Sequence, residues 1–166
     1  RLGLHRSQGV VMRLSALFAL DAFAGGFVMQ SFIAFWFSER FGVDPAVLGV
    51  ILFGANILAA VSALAAGPLA ARFGLIRTMV FTHLPSNVLL ILVPLMPTLP
   101  LAVLALLVRF SISQMDVPTR QSYTMAIVAP DERSAAAGVT GIARSLGVAA
   151  SPLIAALAMS LSSITV

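Results

Sequence analysis

The sequence predicts an all-α fold, a polytopic membrane helical bundle, and three observations predict it. Sixty per cent of the 166 residues are hydrophobic and 10% are charged, against about 25% charged in an ordinary soluble domain; the mean hydropathy is +1.04. The apolar residues recur in blocks of roughly twenty or more, long enough at ~1.5 Å per residue to cross a hydrocarbon core of ~30 Å. The connections are short and polar, "SERFGVDP", "RFGLIR", "PTLP" and "APDERS". No linker divides the chain, so residues 1–166 read as a single transmembrane domain.

Five spans follow in order. The first, Leu14 to Phe37, lacks a cleavable small-residue pattern and is too long for a signal-peptide core, so it reads as retained. Trp36 lies among phenylalanines at its far end, where an aromatic belt belongs. The second runs from Pro45 to Ala71. The third, Ile76 to Met96, carries Pro85 and Asn87, which predict a kink with a local polar partner. In the fourth, Leu101 to Val128, Pro118 cannot donate to the carbonyl of Gln114, which predicts another kink. The fifth, Ala135 to Leu161, has Gly138, Gly141 and Gly147; with Gly25 and Gly26 in the first span these are expected to let helices approach closely. Asn56 and Gln30 read as interhelical hydrogen-bond donors, and His5 and His83 as isolated structural residues.

Charge placement sets orientation and narrows function. All ten basic residues are arginine. Arg1, Arg6, Arg13, Arg72, Arg77 and Arg133 fall on one side of the spans and Arg40 on the other, which places the N-terminus in the cytoplasm and, after five spans, Val166 outside. The positive balance is therefore read as membrane topology, not nucleic-acid affinity. Cysteine is absent, and neither a metal-ligand pattern nor a nucleophile or phosphate-loop motif occurs, so no enzyme, metal site or bound cofactor is expected.

Asp21, Arg109, Asp116, Arg120 and Arg144 lie inside the spans, where a charge at a helix centre costs ~2.5–3.5 kcal/mol. They should face protein or water. On a continuous helix Asp116 and Arg120 each lie within about 20° of Arg109, with Ser113 and Tyr123 flanking the same stripe. Asp116 and Arg120, four residues apart, can pair along it; the plainer reading is a fixed ion pair that locks helices. Asp21, Asp116 and Arg144 occupy similar depths, which predicts that Arg144 pairs with one of these acids. Arg109 is the candidate contact for a solute or for an acid on another helix. Asp21 is the candidate for proton coupling or for neutralising Arg144.

The stretch "GPLAARFGLIRTMV", Gly67 to Val80, resembles the loop signature Gly-x-Leu-Ala-Asp-Arg-x-Gly-Arg-Arg of the major facilitator superfamily. Gly67, Leu69, Ala70, Arg72, Gly74 and Arg77 match; Ala71 stands where the pattern has Asp. "DVPTRQSYTMAIVAPDERSAAAGVTGIARSLGVAASP", Asp116 to Pro152, is similar to the family's run from a gating helix through a Pro-x-Glu-Arg loop into a glycine-rich helix. Ser151-Pro152 stands where Gly-Pro is common. With the five-span layout, the resemblance implies helices seven to eleven of a twelve-helix carrier, five helices of one six-helix half, with an assignment to the N-terminal half as the competing register. It implies secondary active transport of an unknown small solute by alternating access, without a cofactor but open to proton coupling. By the same resemblance Arg72, Gly74 and Arg77 belong to a cytoplasmic gate joined by Asp116, Arg120 and Arg133; Asp21, Arg109 and Arg144, read from their buried charge, are the candidates for the solute cavity or for coupling. The partners implied are the lipid bilayer of a cell (inner) membrane, the solute, and the absent N-terminal half and twelfth helix, without which this chain is not expected to transport. The alternative is a non-transporting membrane scaffold or sensor.

Overall fold

The computed structural model describes residues 3–26 and 30–164, and of residues 155, 156 and 158–164 the backbone alone. Arg1 and positions 27–29 of the expected first span lie outside the described residues. The described residues form helices, with no strand among them: α1 (Gln8–Gly26), α2 (Gln30–Phe41), α3 (Pro45–Phe73), α4 (Leu75–Leu92), α5 (Leu99–Ser113), α6 (Asp116–Ile127) and α7 (Arg133–Ile164). Short 3-10 turns occupy Val93–Leu95 and Pro130–Glu132. Five helical segments are long and apolar enough to cross a membrane: Gln8–Phe41, Pro45–Phe73, Leu75–Leu95, Leu99–Ile127 and Pro130–Ile154. They coincide with the five spans expected.

Local chemistry sets the ends. Extended Asp44 caps α3 by accepting from the Ala46 amide at 2.8 Å, and Pro45 fills the first turn, where its missing N–H costs nothing. Gly74 separates α3 from α4 with φ of 88°, a conformation side chains resist. Its N–H closes α3 on the Ala70 carbonyl and its own carbonyl accepts from Thr78, so the chain reverses without stranding backbone groups. α4 runs unbroken through Pro85, and Asn87 is exposed.

The fourth span departs from expectation. Instead of one helix kinked at Pro118, it is two helices, α5 ending at Ser113 and α6 beginning at Asp116. The cause is the predicted one placed four residues earlier: Pro118 leaves the Gln114 carbonyl without its helical donor, and the break falls at Gln114 and Met115. Pro118 then lies in the first turn of α6, where proline is tolerated. The Thr119 hydroxyl donates to the Met115 and Asp116 carbonyls at 2.8 and 2.9 Å.

The chain divides into two compact units, Arg1–Ile33 with Thr124–Val166, and Ala34–Tyr123. In the first, α1 packs along α7. A Cβ at Gly147 would stand 3.0 Å from the Ala19 carbonyl carbon, and one at Gly26 would stand 2.8 Å from the Ser151 Cβ. The Ser151 hydroxyl donates to the Phe23 carbonyl. Gly25, Gly138 and Gly141 face open space, so the close approach expected of five glycines rests on two. In the second unit, α3, α4 and α5 pack on one another through Ala55, Ser62 and Ala66, through Thr78, Thr82 and Ser86, and through Ala102, Leu106 and Phe110. These recur every four or seven residues, one narrow stripe per helix. Outward positions such as Val50, Phe53, Leu64 and Phe81 are large and apolar, as a lipid-facing surface requires. Asn56, expected to bond between helices, donates to the Leu52 carbonyl of its own helix at 2.7 Å, and Gln30 is exposed.

Candidate functional site: a buried charge cluster at a helix break

The break in the fourth span positions the cluster. Asp116 opens α6, where the free amides and the helix dipole favour a negative charge. Arg120 follows one turn later and its guanidinium bonds to Asp116 Oδ2. The same oxygen lies 3.4 Å from Nδ1 of His83 on α4, whose imidazole adds positive charge when protonated. Asp116 and Arg120 are buried, and His83 keeps about a third of its side chain accessible. The predicted Asp116–Arg120 pair is thus formed, and His83, read from the sequence as isolated, is its third member. Thirty-three residues separate His83 from Asp116 (116 − 83), so no local pattern connects them.

Arg109 and Ser113 lie before the break, on α5, so the stripe reckoned on a continuous helix is interrupted between them and Asp116. Arg109 stacks its guanidinium 5.3 Å from the centre of the Phe110 ring. Its Nε and the Ser113 hydroxyl are buried without a hydrogen-bond partner among the described residues. Asp21, on α1, and Arg144, on α7, are both half-buried. No ion pair of Arg144 with Asp21 occurs among the described residues of their unit; Asp116 belongs to the other unit, where Arg120 and His83 engage it. In the α3–α4 connection Arg72 and Arg77 are exposed, with Arg72 over the Phe73 ring at 5.4 Å. Arg133 is exposed and donates from Nε to the Met125 carbonyl at 2.9 Å.

Glu132 forms a second polar centre that sequence reasoning passed over. It is buried, and its carboxylate accepts from the amides of His5, Arg6 (2.7 Å) and Ser7 (2.9 Å), the entry to α1. Ser7 returns a bond by accepting from the Ala129 amide at 3.2 Å. Leu4, Val11, Val128 and Ala136 pack around the junction. The available signal was Glu132 within the "PDER" loop, but its partners lie more than a hundred residues upstream.

Five helical segments long and apolar enough to cross a membrane, with a buried charge cluster at a break in one of them, define a multi-pass membrane protein. The model of the Major Facilitator Superfamily matches residues 14–166, and the chain belongs to that family. It is 28% identical over 145 residues to an uncharacterized membrane protein of Saccharomyces cerevisiae, an alignment covering 87% of this chain and 32% of the yeast protein. The chain therefore spans about a third of that relative's length. No solved structure matches.

Proposed function

We propose that the chain is part of a secondary carrier that moves a small solute across a membrane by alternating access. The observation that carries this reading is the cluster of His83, Asp116 and Arg120 at the start of an interrupted helix inside a membrane-spanning segment. Charges at such depth are costly in hydrocarbon and mark solute pathways or contacts that change during a cycle. A broken helix supplies a joint at which part of one span swings while the remainder stays packed.

In this reading the N-terminus is cytoplasmic. Arg72, Gly74, Arg77 and Arg133 belong to the inner gate, Asp116 and Arg120 hold it closed, and Asp21 and Arg144 serve coupling or the solute cavity. The activity belongs to the full-length protein. Its test is reconstitution of that protein into sealed vesicles exposed to an isotope-labelled mixture of small metabolites, under an imposed pH gradient and then under counterflow. At least one solute should accumulate above the level of protein-free vesicles, and Asp116→Asn should reduce that uptake by about tenfold or more, as loss of a partner from a buried pair implies. Absence of accumulation under both regimes would assign the helices to a scaffold or sensor.

A further inference from the structure

Arg120 and Arg109 are both arginines within one membrane-spanning segment, and they are treated differently. Arg120 has an acid one turn away. Arg109 has none: among the described residues of its own compact unit no carboxylate pairs with it, and its Nε is buried and unbonded. Counted from Leu99 at the start of the segment, Arg109 lies roughly 15 Å deep at ~1.5 Å per residue, about the middle of a ~30 Å core. A guanidinium cannot lose its proton there to escape the cost of burial. One turn further on the same face, the hydroxyl of Ser113 is also buried and without a partner. Some hydroxyls in the spans close on a carbonyl of their own helix, Ser111 on Val108 at 2.7 Å, Thr82 on Thr78 at 2.8 Å and Thr140 on Ala136 at 2.8 Å, while those of Ser15, Ser62 and Thr78 are, like Ser113, buried without a partner among the described residues but have no charged group one turn away. Arg109 and Ser113 are thus two open polar groups one turn apart on the helix that leads into the break, the charged one at mid-membrane.

We propose that Arg109 and Ser113 bind the anionic group of the solute, a carboxylate or phosphate. This deepens the carrier reading and rests on it. A planar guanidinium offers parallel donors that match the oxygens of such a group, and a neighbouring hydroxyl adds a third donor without adding charge. The bound anion supplies the counter-charge that Asp116 does not, since that carboxylate is shared between Arg120 and His83. Phe110, whose ring the guanidinium overlies, restricts the directions in which Arg109 reaches.

The test is thermal unfolding of the purified full-length protein in detergent. Sodium phosphate, succinate and benzoate are titrated at matched ionic strength against sodium chloride. One of the three should raise the unfolding midpoint in a saturable manner, and which one does distinguishes a phosphate from a carboxylate site. Arg109→Gln should abolish the effect, Arg109→Lys should weaken apparent affinity about tenfold through loss of the paired donors, and Ser113→Ala should weaken it by a smaller factor. Arg40→Gln, at an exposed arginine in the last turn of α2, should leave it unchanged. If Arg109→Gln does not fold, the Lys and Ala variants decide. Absence of stabilisation by all three anions, or equal stabilisation of the Arg109 and Ser113 variants, overturns the site and assigns Arg109 to an acid elsewhere in the full-length protein. Saturable binding without accumulation in vesicles refutes the carrier reading and keeps the site; accumulation that ignores Arg109 does the reverse.

Discussion

Asp116 holds both Arg120 and His83 on one carboxylate oxygen, and that economy makes it sensitive to substitution. Asp116→Asn removes the counter-charge from a buried guanidinium and should cost ~3–5 kcal/mol of stability, the usual penalty for breaking a buried pair from one side. Asp116→Asn combined with Arg120→Gln should recover much of that loss, because neither charge is then stranded. Unfolding of the full-length protein in detergent, followed for both singles and the double, measures the coupling; strict additivity would show that the pair stabilises nothing. Glu132 makes a different prediction, because its partners are backbone amides. Glu132→Gln keeps one acceptor but turns an NH2 toward donors, whereas Glu132→Ala abandons all three amides. Both should lower the midpoint, Ala more than Gln, with faster amide exchange confined first to residues 5–7. Unchanged exchange there would mean that water replaces the carboxylate without penalty.

Helix pairs give predictions of opposite sign from one chemical change. Gly147→Ala drives a methyl into the Ala19 backbone, which cannot rotate away, and should destabilise the α1–α7 pair by ~1–3 kcal/mol. Gly138→Ala, on the same helix but facing open space, should be neutral or stabilising by ~0.5–1 kcal/mol, since alanine restricts the unfolded chain and favours helix. Thermal midpoints of the two variants side by side test this, and equal destabilisation would remove the close approach at Gly147. The same elements show what the sequence discloses. Span positions follow from apolar runs, and the starts of α3 and α4 follow from Asp44-Pro45 and Gly74, because those signals act within a few residues. The break before α6 was legible in cause but not in position, since a helical wheel assumes the continuity that Pro118 removes. Which glycines touch a neighbour, that His83 meets Asp116, and that Glu132 meets residues 5–7 depend on distant segments coming together.

For the molecule as a whole, the arginine asymmetry makes orientation testable. In a full-length protein depleted of cysteine, a single cysteine at Arg72 or Arg77 should resist a membrane-impermeant maleimide in intact cells and react after permeabilisation, while one at Arg40 should react from outside. All three positions are exposed, so differences in labelling report the side of the membrane and not burial. Reversed labelling would invert the topology and with it the cytoplasmic placement of the gate. The junction of Glu132 with the entry to α1 bears on biosynthesis. Ser7 and its acceptor carboxylate are 125 residues apart, so a ribosome adding ~5–20 residues per second leaves those amides waiting roughly 6–25 s for their cap. The junction of Glu132 with residues 5–7 can therefore close only after the intervening helices have been synthesised.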